Sequence, residues 1–318
     1  MKPELQAALE RIRAPRSFGT GRPQAEGADD RRGHFWLITD KKVLLAVKVA
    51  LVTGRPLLVE GPSGTGKSAL ARAVSETLGW TYYEKVVTSQ TRLDHLTGWV
   101  DLIQRLHRAE VAGRDGGDTD ERLPGLEAFV QPGVLWWALD PESARTAGPG
   151  DNTDPGLAAR RPAGDGGVVV LVDEIDKAEP DIPNNLLVPL GSWELRVEGR
   201  DEPVELRRPL WPLVVVTSNR ERDMPPAFLR RCVVLRLEFP KRADLMRIAG
   251  RHTGVDDDLV KLVADKLLIG TEPNVSPAEF VDAVRAADGL DLDEHTDAKL
   301  WEDVRSIVLG TDREAPPG

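Results

Sequence analysis

Eight consecutive residues, Gly61-Pro62-Ser63-Gly64-Thr65-Gly66-Lys67-Ser68, fit the pattern G-x-x-x-x-G-K-[ST] in full. Glycine at 61, 64 and 66 lets successive backbone N–H groups turn inward around phosphate oxygens. The start of a following helix would add partial positive charge. Lys67 is placed to reach the β- and γ-phosphates of a nucleotide, and Ser68 to offer a hydroxyl to Mg2+. The whole loop, Pro62, Ser63 and Thr65 included, is the expected binding surface for a nucleoside triphosphate.

Three further groups could complete a hydrolytic site. Val168-Val-Val-Leu-Val-Asp173-Glu174 is an apolar run ending in two acids. Asp173 would emerge at the carboxyl end of a buried strand, where ligands sit in open parallel sheets, and could hold Mg2+ directly or through water. Glu174 beside it is placed to orient and deprotonate a water. Leu213-Val-Val-Val-Thr217-Ser218-Asn219 is a similar run with a polar tip. Its Asn219 could hold that water in line, although Ser-Asn alone is a turn signal. Arg230-Arg231 follows in a short helical turn. A guanidinium fork suits phosphate, and one reaching the γ-phosphate contributes roughly 10³–10⁵ in rate. From the residues alone the pair reads equally well as a solvated basic surface.

These residues need a sheet to bring them together. Runs at 56–60, 81–87, 168–172, 213–217 and 233–237 are short and rich in β-formers, and four of them are nearly continuous apolar stretches. That is the pattern of parallel strands covered on both faces. Helical patterns separate them, so the chain reads as strands linked by crossover helices. Past Pro240 the strands stop, and four stretches between 243 and 309 carry apolar residues at helical spacing. The expected organisation is a helix and arm at 1–33, an α/β nucleotide-binding domain at 34–240, a helical domain at 241–310 and a disordered tail at 311–318. Gly- and Asp-rich stretches at 114–122 and 144–167 read as mobile loops, and alternation over 193–208 reads as a β-hairpin. Trp136-Trp137 reads as buried packing.

Composition narrows the field. Net charge is −10, from 42 basic and 52 acidic residues among 318, which argues against a broadly basic nucleic-acid binder. The single cysteine, Cys232, excludes an internal disulfide framework and a multi-cysteine zinc site. No run approaches the roughly 18 apolar residues of a membrane helix, and the first residues lack the pattern of a secretory signal. A cytoplasmic location is the expectation.

The order of phosphate loop, acid-tipped strand, Thr-Ser-Asn strand, Leu-Arg-Arg turn and helical domain resembles the AAA+ ATPases over about residues 35–309. Within them the chain is most similar to the MoxR-type branch, on three grounds. There is an insertion at about 101–130, a hairpin ahead of the Thr-Ser-Asn strand, and the phrase VDEIDKAEPDIPNNLLVPL. The resemblance implies a P-loop αβα sandwich with a five-stranded parallel sheet in the order 5-1-4-3-2, and a small all-helical lid. It makes Lys67 and Ser68 the Walker A residues, Asp173 and Glu174 the Walker B pair, and Asn219 sensor 1. It makes Arg231, with Arg230 as the alternative, the finger acting on a neighbour's nucleotide. The family's sensor 2 arginine falls at Ala278; Arg285, two turns later, is either a substitute for it or a surface residue.

The function so implied is a Mg2+-dependent ATPase that forms rings, expected to be hexamers, and remodels or activates a protein partner. Such relatives act with proteins carrying a von Willebrand factor A domain. The alternative is a nucleic-acid motor on the same core. It would need a basic pore, for which Arg196, Arg200, Arg207 and Arg208 are the candidates, interleaved with Glu194, Glu198, Asp201 and Glu205. ATP is expected over GTP, because no Asn-Lys-x-Asp motif follows the Thr-Ser-Asn strand.

Overall fold

The apolar runs become five strands, here β1 (Leu57–Glu60), β2 (Thr81–Val86), β3 (Val168–Asp173), β4 (Leu213–Ser218) and β5 (Val233–Arg236). They form one all-parallel sheet in the order β5-β1-β4-β3-β2. The computed structural model describes residues 2–12, 17–18, 36–37, 41–114, 124–148, 152–156, 166–268 and 275–309.

Side chains alternate across a pleated strand, so each run feeds two cores. Leu57, Val59, Val169, Leu171, Leu213 and Val215 face one layer, built from helices Lys41–Thr53 and Lys67–Leu78. Helix Pro3–Arg11 joins that layer through Leu5 and Ala8, with Ile12 just past its end, and Arg11 donates to the Leu78 carbonyl at 2.7 Å. The N-terminal helix is thus part of the α/β domain and not of a separate arm. Leu58, Val170, Val172, Val214 and Val216 face the opposite layer, with Trp136, Trp137, Leu186 and Phe228. Both tryptophans are buried. Burying a Leu or Val side chain stabilises by about 1.5–3 kcal/mol, and charged residues enter the interior of these strands only at the sheet edge, as Glu84 and Lys85 of β2 do.

Strand order decides where the chemistry goes. β4 lies between β1 and β3, with Thr217 opposite Val59, Ser218 opposite Glu60 and Val216 opposite Val172. The tips of three strands distant in sequence therefore sit side by side, at the carboxyl edge that open parallel sheets use for ligands.

Other segments attach to this core. Gly98–Val100 pairs antiparallel with Val130–Pro132, framing helix Leu102–Arg114, whose Leu102, Ile103 and Leu106 are exposed. Before β4, Glu194–Leu195 pairs with Val204–Glu205, a ladder of two residues a side inside the expected hairpin. Helices Arg242–Thr253, Asp257–Leu267, Pro277–Gly289 and Ala298–Leu309 enclose their own core around Phe280, Val284 and Trp301.

The stretch at 144–167 differs from the loop expected there. Its first residues finish helix Pro141–Thr146, started by Asp140, whose carboxylate accepts from the Ser143 N–H. Asn152 then donates to the carbonyls of Ala144 and Ala147, and Asp154 accepts from the Tyr83 hydroxyl, so 152–156 is tied to the core. The remainder of that loop at 149–151 and 157–165, the loop residues 115–122, most of the arm at 14–33 and the tail at 311–318 lie outside the described residues.

Candidate active site at the carboxyl edge of the sheet

The phosphate loop leaves β1 and ends in helix Lys67–Leu78. Gly66, just before the helix, has φ of 86°, a left-handed conformation that costs a side-chain-bearing residue about 1–2 kcal/mol. Lys67 is buried, and its ammonium donates to the carbonyls of Gly61 at 2.8 Å and Pro62 at 2.7 Å. Burial pushes its pKa down from the ordinary lysine value, while Asp173, Asp176 and Glu174 pull it up. This is a cation held at the mouth of a glycine-lined cradle, backed by carboxylates, and the donor set fits a triphosphate.

The Walker B pair of the resemblance, Asp173 and Glu174, is anchored from both sides. Asp173 accepts from Ser68 Oγ at 2.8 Å and from Thr217 Oγ1 at 2.5 Å. The same Thr217 oxygen accepts the Glu174 N–H at 2.8 Å. One fully buried hydroxyl thus joins β4 to both acids. Glu174 adopts φ of 60° and ψ of 48°, left-handed backbone in a residue with a long side chain. Its Oε2 meets Lys177 Nζ at 2.8 Å, and this carboxylate raises the lysine's pKa.

Asn219 is held at its strand tip by a buried acid of the neighbouring turn. Asp176, buried in the turn Ile175–Lys177, accepts the N–H groups of Asn219 at 2.9 Å and Glu221 at 3.1 Å through one oxygen. Behind the phosphate loop, buried Glu60 accepts from Arg236 Nε at 3.1 Å and lies 3.7 Å from Arg220 of the next tip. The sequence reading gave Thr217, Asp176 and Glu60 no role in the site. The usable signal was their position at or just past a strand end beside a motif residue.

The helical lid reaches the cradle. A Cβ on Gly64, itself at φ of 76°, would lie 2.6 Å from Ser276 Oγ and 3.9 Å from the Ala278 methyl. Ser276 and Glu279 form a capping box that starts helix Pro277–Gly289. Ala278, where the resemblance puts sensor 2, therefore faces the loop with a methyl. Arg285 is half-exposed and 3.7 Å from Asp282.

Arg230 and Arg231 are not part of this assembly. They end helix Pro226–Arg231, and both are exposed. β5 starts at Val233, opposite Leu57, the first residue of β1, and runs parallel to it toward the loop. Four residues of β1 at about 3.3 Å each, about 13 Å, separate their level from the phosphate loop. Neither guanidinium reaches the cradle of its own chain.

A parallel αβα sheet with a glycine-lined cradle at its carboxyl edge, cation and carboxylates converging on it, defines a P-loop nucleotide-binding domain. The model of the family described as "AAA domain (dynein-related subfamily)" matches residues 56–232, and the chain belongs to that family. Membership implies ATP binding. Among solved structures the chain is similar to the RuvB Holliday junction branch migration motor of Thermotoga maritima, at 14% identity and a TM-score of 0.42 over 84% of this chain and 67% of that one. It is also similar to the FIGL-1 AAA domain in complex with ADP, at 18% identity and a TM-score of 0.42 over 80% and 72%. These are likenesses of fold. No curated protein matches the chain. Among the described residues no helix is long and apolar enough to cross a membrane.

Proposed function

We propose that the chain hydrolyses ATP in a ring of its own copies, a hexamer by resemblance, and uses the turnover to remodel or activate a protein partner in the cytoplasm. The observation that carries this reading is the division of the site. Lys67, Ser68, Asp173, Glu174 and Asn219 converge at one end of the sheet, while Arg230 and Arg231 stand exposed at the other. An arginine so placed is suited to a nucleotide held by another copy.

Lys67 leaves its carbonyl partners to bind β- and γ-phosphate oxygens, and the N–H groups of Gly64, Thr65 and Gly66 close around them. Ser68 and Asp173 would hold Mg2+, which when bound supplies neutralising charge at the phosphate oxygens. Glu174 takes the proton of the attacking water once Lys177 no longer occupies its Oε2, and Asn219 fixes that water's direction. Arg231 or Arg230 of a neighbour offsets the charge that develops on the transferred phosphoryl group.

The MoxR-type assignment is supported by the insertion framed by Gly98–Val100 and Val130–Pro132 and by the paired segment ahead of β4. Through that resemblance the partner class is a protein with a von Willebrand factor A domain. The nucleic-acid alternative has less support. Arg196 and Arg207 sit beside Glu194 and Glu205, Arg200 stacks on Trp136 at 4.8 Å, and Arg208 donates to the carbonyls of Gly166 and Trp137.

The test is Mg2+-dependent phosphate release from ATP, followed with sedimentation of the same samples. Lys67→Ala should abolish binding or turnover, and Glu174→Gln should bind ATP and not hydrolyse it. Specific activity should rise with protein concentration as copies associate. A strictly monomeric protein with brisk turnover, or wild-type turnover in either variant, overturns the reading.

A further inference from the structure

Arg55 belongs to no motif, yet it makes three hydrogen bonds to one short stretch of backbone. Its guanidinium donates to the carbonyls of Arg230 at 2.7 Å, Arg231 at 3.2 Å and Cys232 at 2.7 Å. The last carbonyls of a helix have no partner within the helix and carry the negative end of its dipole. A planar fork with donors on separate nitrogens suits such a row of acceptors, and a lysine matches it less well. The helix concerned, Pro226–Arg231, has six residues and is too short to be stable by itself.

The other end of the contact is as well defined. Arg55 directly precedes Pro56, whose carbonyl accepts the Val233 N–H at 2.8 Å, and β1 follows with all four residues buried. β1 runs without a break into the phosphate loop at Gly61. One strand thus carries the nucleotide cradle at its carboxyl end and, at its amino end, the side chain that fixes the peptide planes from which Arg230 and Arg231 depart.

We infer that Arg55 is a positioning residue for the arginine presented to the neighbouring copy, holding the Pro226–Arg231 terminus in register with the strand that carries its own chain's phosphate loop. The inference rests on the proposed trans role of Arg230 or Arg231. The guanidiniums of those residues remain free to reach out, because Arg55 engages only their carbonyls. Cys232, buried beneath the same contact, closes the turn without a polar side chain.

The experiment compares the intact chain with Arg55→Ala, Arg55→Lys, Arg230→Ala, Arg231→Ala and the doubles of Arg55→Ala with each arginine variant. ATP turnover is measured at a protein concentration that supports association, with binding of a fluorescent ATP analogue and a thermal melt. Misplacement of a reacting group by about 1 Å costs on the order of a hundredfold, so Arg55→Ala should lower kcat by on the order of tenfold to a hundredfold. KM and analogue affinity should stay within about twofold, since the cis cradle is untouched. Arg55→Lys, which keeps a cation at the helix end, should recover part of the loss, and it also serves if the alanine variant does not fold. The double with the active finger variant should be no slower than that finger variant alone. Wild-type turnover in Arg55→Ala while Arg231→Ala or Arg230→Ala is inactive overturns the inference and leaves the trans reading standing. A double much slower than the finger single also overturns it, by showing that Arg55 acts elsewhere. Full turnover in both Arg230→Ala and Arg231→Ala removes the trans reading itself, and this inference with it.

Discussion

Replacing Thr217 by valine changes almost no volume and removes the one hydroxyl that ties β4 to both acids. Two hydrogen bonds go. The bond donated to Asp173 ends on a carboxylate, a class that contributes about 1.5–3 kcal/mol, and the Glu174 N–H left without its acceptor costs about 1–3 kcal/mol. Glu174 is partly open to solvent, which softens the second figure, and the new buried methyl returns about 0.8 kcal/mol. The net loss is about 2–4 kcal/mol, or about 6–12 °C in melting temperature for a domain of this size. Ser68 still donates to Asp173, so the carboxylate stays in place while Glu174 loses its backbone anchor. Turnover should therefore fall further than nucleotide affinity. Thr217→Ser keeps the hydroxyl and gives up one methyl, about 1 kcal/mol, so it should retain most of the activity. Calorimetry and phosphate release on the two variants decide the matter. A Thr217→Val protein that melts within about 2 °C of the parent and hydrolyses ATP at the same rate refutes the argument.

Two further expectations concern the lid and the lone cysteine. Gly64→Ala meets Ser276 at a spacing no real Cβ tolerates, in a backbone region that penalises alanine by about 1–2 kcal/mol. The lid should lift from the loop, seen as faster hydrogen exchange in the first turn of Pro277–Gly289 and a melt lower by a few degrees; unchanged exchange would count against direct seating. Burial pushes the Cys232 thiol up to about 12 from its ordinary 9.0, against a smaller pull from Arg55. In the unfolded chain the thiol ionises first, so its contribution to stability is full below about pH 9 and is lost as pH rises toward 12, at up to about 1.4 kcal/mol per pH unit. Cys232→Ala should lose less stability than the parent between about pH 9 and 11 in urea titrations, and the native thiol should react with a disulfide reagent far more slowly than the unfolded one.

The fold class was legible because parallel strands covered on both faces are written as nearly continuous apolar runs, as four of the five are, and each of the runs at 56–60, 81–87, 168–172, 213–217 and 233–237 became a strand. Their order came from the resemblance, since nothing in an apolar run such as 213–217 says which neighbour it takes. The residues gathered at the carboxyl edge of the sheet were legible as a candidate site because Gly, Lys, Ser and paired acids at fixed spacing carry a mechanism. Their supports were not. Asp176 reads as a helix start until the sheet sets β4 beside β3, and Thr217 reads as the last β-former of a strand. Glu60 looks like an ordinary strand end, and Arg55 like a loop residue before proline. Each acts through a contact between segments from 43 to 177 residues apart, which no local spacing encodes. The helix at Pro141–Thr146 was missed for the opposite reason: its cap, Asp140, lies outside the Gly-rich composition that dominated the reading of that stretch.

The left-handed backbone at Glu174 has a consequence for anyone who would harden this molecule against heat. Glycine or asparagine would sit at that spot with less conformational penalty, so a screen that rewarded only resistance to unfolding would drift away from glutamate there. On the proposed role of Glu174, survivors of such a screen would be sturdier and inert, and the glutamate would mark a place where folding yields to work.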